Sequence, residues 1–322
     1  MKVYIPNSAF LGNIEAFLDG FSPASPDSLE IATNDKWISV HPVVLSMIGA
    51  LGLGVEPKNI QFDEITAKSG HYLERMGLFS FLGVPSPMKI HEHESAGRFV
   101  PLTEISDSDQ LDRFVTEMVP LLHLPSKQAE SIRYIVSELV RNVLEHSLSP
   151  HGAVVSAQYF AKTNTVRIGI ADTGVGIWKT IHQSHAAKDD LAAIKLALTP
   201  GITGTTAREG GTEINGGAGL FFIKSIATIN RDFFVIYSGK ALYKLLKPNR
   251  GSKRLVLHGD PEKDKHSERN NLPPWPGAVV GIDLSLDATS ELTYLLDVIG
   301  ETYAGAIQER RRLRFKKPRF VL

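Results

Sequence analysis

The chain has 322 residues, 43% of them hydrophobic and 22% charged, and its 35 Lys and Arg balance its 35 Asp and Glu to a formal charge of zero. That length holds about two domains with a buried core, and the composition excludes a disordered or collagen-like chain. Neutrality argues against a protein that binds nucleic acid over its whole surface, and the absence of cysteine excludes thiol catalysis, disulfides and cysteine-based zinc sites.

Met1–Pro6 lacks the charged start and apolar run of a signal peptide. The most apolar stretch, Val43–Val55, is interrupted by Gly49, Gly52 and Gly54 and falls short of the ~20 residues a spanning helix needs. The expectation is a soluble cytoplasmic protein with no membrane span. Leu29–Thr33 reads as a strand, Pro42–Leu51 as an apolar helix and Asn59–Ile65 as a second strand. Lys68–Phe79 follows as an amphipathic helix with Tyr72, Leu73, Met76 and Phe79 on one face. This β-α-β-α order, with the helix His71–Gly77, resembles STAS-like domains and defines a small α/β module over residues 1–84. Pro85, Ser86 and Pro87 open a linker expected over 85–106, although Arg98–Ile105 inside it has strand character. His91-Glu92-His93-Glu94 alternates two metal-ligand types, but a short polar run beside prolines reads first as a solvated segment.

Asp107–Leu122 reads as a helix. Pro125-Ser126 opens a longer one, with Ser126 as the expected N-cap. In it Ile132, Ile135, Val136, Leu139 and Val143 form the apolar face, and Glu138, Asn142 and His146 stack beside them at i, i+4 and i+8. A carboxylate and an amide oxygen one turn apart suit Mg²⁺, which takes oxygen ligands; a merely solvated polar stripe is the alternative. Ala153–Phe160 and Val166–Ala171 alternate as two strands around Lys162-Thr163-Asn164, and the second runs into Asp172-Thr173-Gly174-Val175-Gly176. An acid at a strand end can accept from an exocyclic amine, and glycines at alternate positions let the backbone approach a flat ring. Further on, Asn215-Gly216-Gly217-Ala218-Gly219-Leu220 precedes the helix Phe221–Ile229, an arrangement that exposes helix N–H groups to phosphate. Phe233–Ser238, Arg254–His258 and Gly277–Leu286 read as strands, with Gly259–Pro276 as an exposed charged loop.

Glu-x3-Asn-x3-His on a helix, Asp-x-Gly-x-Gly after a strand and Gly-x-Gly before a helix occur here in that order. The set resembles the GHKL ATPases: gyrase B, heat-shock chaperone ATPases, histidine kinases, MutL and the anti-sigma-factor serine kinases. The resemblance implies an α+β fold, a GHKL (Bergerat) α/β sandwich over 107–286, with a lid at 178–215 over a bound nucleotide. By the same resemblance Asn142 is the Mg²⁺ ligand and Glu138 the carboxylate that activates water or an acceptor hydroxyl. Asp172 reads adenine with Gly174 and Gly176 beside the base, and Gly217, Gly219 and Leu220 lie near the phosphates. ATP and Mg²⁺ are the implied cofactors. Gly201, Gly204, Gly210 and Gly211 give the lid its freedom, and Thr203, Thr205, Thr206 and Arg208 lie where phosphates can be reached. His182 and His185 are read as surface residues. One departure stands out: the last strand begins Gly277-Ala278, where many members have Gly-Thr, so a hydroxyl at the adenine site is missing.

His123 lacks the acidic neighbour of a phosphoacceptor histidine, and Pro125 ends its helix. The short segment after Leu286 is less than a gyrase- or MutL-type transducer. The run Ser137–His146 looks closest to the anti-sigma serine-kinase branch, and a partner protein is expected. Residues 287–322 read as a helix from about Ser290 to Arg312 and a basic tail: Arg310, Arg311, Arg312, Arg314, Lys316, Lys317 and Arg319, with no acid after Glu309. The tail is the one place for a nucleic-acid contact, or for one with the acidic body of this chain or of a second copy in a homodimer.

Overall fold

The computed structural model describes residues 1–87, 99–207, 218–248, 256–286 and 292–314. Expectations for His91–Glu94, Arg208, Gly210, Gly211, Asn215–Gly217 and the tail beyond Arg314 fall outside these residues. In the N-terminal part, strands β1 (Lys2–Ile5), β3 (Leu29–Thr33) and β5 (Ile60–Phe62) form a parallel sheet in the order β1-β3-β5. Two-residue strands β2 (Ser8–Ala9) and β4 (Ser39–Val40) pair beside it. The helices are α1 (Glu15–Leu18), α2 (Pro42–Leu53), α3 (His71–Arg75) and α4 (Leu78–Phe81). The amphipathic helix expected over Lys68–Phe79 is thus broken. Gly77 takes a left-handed φ of +74°, which ends one helix and starts the next.

β6 (Phe99–Ile105), inside the expected linker, is the edge strand of a second sheet. Asp107 then caps α5 (Ser108–Arg113) by accepting from the Gln110 N–H at 2.8 Å. A π turn over Phe114–Met118 and a 3-10 turn over Val119–Leu122 continue the helical path. α6 (Ser126–His146) starts with Pro125, not Ser126, at the capping position and has no side-chain cap. The remaining elements are β7 (Ala153–Phe160), β8 (Thr165–Ala171), α7 (Gly176–His182), α8 (Asp190–Ala197), α9 (Gly219–Ile229), β9 (Phe234–Gly239), β10 (Ala241–Leu245), β11 (His266–Arg269), β12 (Trp275–Ser285) and α10 (Leu292–Arg314). The expected charged loop 259–276 contains β11. The strand expected over Arg254–His258 is not formed at 256–258, the described part of it.

The seven strands β11-β10-β9-β12-β8-β7-β6 make one antiparallel sheet. Its front face carries Ile168, Ile170, Phe234, Ile236, Val280 and Ile282, which share a core with α6, α9 and α10. Its back face carries Val154, Ala171, Val235, Tyr237 and Val279, which share a different core with α2 and the parallel sheet. The N-terminal part is therefore a third layer on the antiparallel sheet. α2 reaches that sheet because Gly169 has no side chain: a Cβ there would lie 2.2 Å from Val43 Cα. Ser46 Oγ donates to the Gly169 carbonyl at 2.9 Å, and Ser156 Oγ to that of Pro42 at 3.1 Å. The architecture is α+β.

Candidate functional site

The polar stripe of α6 and the first turn of α9 meet in front of the sheet. A cavity of about 570 Å³ opens between them, with α7 and the 202–204 turn on its other side. That size suits a small molecule, whose sites run roughly 300–1,000 Å³. Glu138, Asn142, His146, Asp172, Gly176, Gly219 and Leu220 all line it. Gly174 does not, and Gly217 lies outside the described residues.

At one end of the cavity stands Asp172, where β8 leaves the sheet. Its side chain is only 1% exposed. Oδ1 accepts from the Gly174 N–H at 2.8 Å and Oδ2 from the Ala278 N–H at 3.2 Å. Burial pushes its carboxyl up to about 6 against these two hydrogen bonds. The glycines around it are required by contact: a Cβ on Gly277 would lie 2.3 Å from Asp172, and one on Gly174 2.1 Å from the Ser147 carbonyl. Gly176 opens α7 at φ +76°. Ser238 Oγ accepts from the Ile177 N–H at 2.9 Å and donates to the Gly277 carbonyl at 2.7 Å, so it ties α7 to β12. Ala278 puts only a methyl group toward the cavity. Its polar contribution to Asp172 comes from the main chain.

At the other end, α9 begins against α6. A Cβ on Gly219 would lie 2.9 Å from Glu138 Oε2 and 3.4 Å from Asn142 Nδ2. Asn142 Nδ2 is buried with no hydrogen-bond partner among the described residues, an unspent donor that suits a phosphate oxygen. Glu138 is 28% exposed, and Arg141 Nη1 lies 3.6 Å from its Oε1. Burial raises the Glu138 carboxyl above its ordinary range, Arg141 pulls it back, and Glu145 pushes it up. An amide and a carboxylate oxygen on one stripe are the donor type Mg²⁺ takes, so these residues fit a nucleotide with its cation.

Arg141 and Glu145, which the Glu138, Asn142 and His146 spacing does not include, also line the cavity. They sit at i+3 and i+7 from Glu138, the positions that complete its helical stripe, and that spacing is the signal that could have found them. In the lid region Thr203 and Gly204 line the cavity, whereas Thr205 and Thr206 do not. His182 is exposed and stacks on Trp178. His185 is half-buried, and its Nε2 lies 3.0 and 3.1 Å from the carbonyls of Thr203 and Thr206, so it pins that turn. Away from the cavity, Glu262, His266 and Glu268 converge closely enough for a metal. The Lys195 ammonium of α8 already sits 2.6 Å from both carboxylates.

Among the described residues no helix is long and apolar enough to cross a membrane. Comparison with curated proteins and with solved structures found no match. Residues 104–229, from β6 through α9, match the family described as histidine kinase-like ATPase domain. The match spans both walls of the cavity and leaves residues 1–84 outside it. Over these residues, less than half of its length, the chain is similar to ATPase domains of the GHKL type.

Proposed function

We propose that the chain binds Mg-ATP in this cavity and hydrolyses it, with nucleotide occupancy setting the position of the lid as a regulatory switch. The observation that supports this most is the cavity's polarity. A buried acid able to accept from adenine's amine lies at one end, and Glu138, Asn142 and the start of α9 lie together at the other. Mg²⁺, when bound, neutralises phosphate charge. Asn142 offers it an amide oxygen, and the α9 N–H groups face the phosphates. Glu138 orients a water and takes its proton, and catalysis is otherwise positioning and charge neutralisation.

Transfer to a serine or threonine hydroxyl of a partner protein uses the same carboxylate. Glu138's partial exposure favours this second reading, because it leaves the carboxylate open to a hydroxyl entering from outside. The test is Mg-ATP binding by calorimetry together with phosphate release, on wild type, Glu138→Ala and Asn142→Ala. Glu138→Ala is expected to keep ATP binding and lose at least about a hundredfold in turnover, the scale of a positioned general base. Asn142→Ala is expected to weaken Mg-ATP binding. Unchanged affinity in Asn142→Ala removes the site assignment. Wild-type binding without phosphate release or transfer leaves a nucleotide-gated interaction module instead of an enzyme.

A further inference from the structure

The cavity read above as the site of a polyanion has an acidic lining. Glu138, Glu145 and Asp172 line it, and Arg141 is the single Lys or Arg among the described lining residues. Each additional phosphoryl group raises the cost of entering such a cavity unless a cation meets it. Arg141 is on the stripe that carries Glu138 and Asn142, one turn from the contact those two make with the start of α9. Its present engagement is slight. One nitrogen lies 3.6 Å from one oxygen of Glu138, and the side chain is 58% exposed. A guanidinium held at one point is free to move to a better acceptor, and a phosphoryl group offers a two-point one.

We propose that Arg141 reads the terminal phosphate: its guanidinium leaves Glu138 for the terminal phosphoryl group of a bound nucleoside triphosphate, and so distinguishes triphosphate from diphosphate. The inference rests on the nucleotide reading of the cavity above. It assigns Arg141 two consequences of one movement. The triphosphate gains a charge-assisted contact that the diphosphate lacks. The Glu138 carboxylate is freed from its ion pair only when the group to be transferred is in place. Occupancy by diphosphate leaves Arg141 on Glu138.

The experiment measures dissociation constants for ATP and ADP, each with Mg²⁺, by calorimetry on the full chain. The variants are Arg141→Gln, Arg141→Lys and Arg133→Gln, the last a control that removes an exposed arginine of the same helix away from the cavity. Arg141→Gln is expected to lose on the order of tenfold in ATP affinity, the scale of a hydrogen bond to a charged group, and much less for ADP. The preference for ATP over ADP then shrinks by that factor. Arg141→Lys restores part of the preference, and Arg133→Gln matches wild type. Equal weakening of ATP and ADP, or an unchanged ratio, overturns the inference while leaving the nucleotide site standing. A wild type that binds neither nucleotide overturns the site reading itself, and this inference with it.

Discussion

Asp172 is held as a buried acceptor by two main-chain donors, and its charge is the most costly one the cavity carries. Its carboxyl titrates near pH 6 in the folded protein and near pH 4 in an unfolded chain. Between those values the folded protein holds a proton the unfolded chain has lost, so this group adds stability as pH falls through about 6. The proposed role has the opposite sign, because a protonated carboxyl no longer accepts freely from an adenine amine. Lowering the pH from 7.5 to 5.5 is therefore expected to weaken ATP binding while this group's contribution stabilises the nucleotide-free protein. Asp172→Asn should weaken ATP binding about tenfold or more at pH 7.5, the loss of one charged hydrogen bond, and flatten both pH dependences. Calorimetry and thermal melts of the two proteins across that range decide it; parallel curves rule the assignment out. The Asp172 loop is legible in sequence because Asp-x-Gly-x-Gly encodes its own turn. The Ala278 and Trp275 contacts to Asp172 come from about a hundred residues away in sequence, and no local pattern announces them.

The elements that read most clearly from sequence were those with a buried, alternating or 3.6-periodic face. β3, β7, β8, α6 and β12 lie within a residue or two of where that pattern puts them. β11 escaped because an edge strand with His266, Ser267, Glu268 and Arg269 need not alternate, and a charged run reads as loop. The helix over Lys68–Phe79 was overextended because α3 and α4 both face the same core, so the apolar period continues through the break. Two glycines test the packing at this scale and separate backbone strain from steric exclusion. At Gly77 a Cβ would have its nearest neighbours at 3.5 and 3.6 Å, so Gly77→Ala meets only the left-handed backbone and should cost about 1–2 kcal/mol. At Gly169 the Cβ would enter the main chain of α2, which cannot yield as a flexible side chain does. Gly169→Ala should cost roughly 3 kcal/mol or more, the upper end of overpacking, and separate α2 from the sheet. Urea unfolding of both variants measures the difference. A Gly169→Ala protein as stable as Gly77→Ala would mean that the third layer is not held by this contact.

At the scale of the molecule, the N-terminal elements and the back of the antiparallel sheet share one core. Sequence patterning does not show this, because the apolar residues of that core mark buried faces without saying which faces meet, and the polar cluster beside them carries no apolar signal. Across the back face Gln158, Arg167 and Asp283 stand side by side on β7, β8 and β12. His41, the N-cap of α2, lies above them, fully buried. Its Nδ1 accepts from the Val43 N–H at 3.0 Å, so Nε2 carries the proton and faces Asp283 Oδ1 at 3.3 Å. Arg167 approaches the same oxygen at 3.4 Å, with its guanidinium over the rings of Phe160 and Phe10, and its field also reaches the buried Tyr72 hydroxyl. Burial lowers the His41 pKa below its ordinary value, and Asp283 opposes that shift only in part. Protonation would moreover put a second N–H where Nδ1 now caps α2. As pH falls below roughly 6.5 the unfolded chain takes up a proton that the folded joint refuses, so stability falls with it. His41→Asn keeps an acceptor for Val43 and removes the titration. It should be less stable than wild type at pH 7.5, through loss of the Asp283 contact, yet lose less stability between pH 7 and 5. Asp172 acts in the opposite direction over part of that range but is common to both proteins, so the difference between their melting profiles isolates His41. Profiles that stay parallel from pH 7 to 5 would show that the joint between the layers tolerates acid and that this histidine is not its weak point.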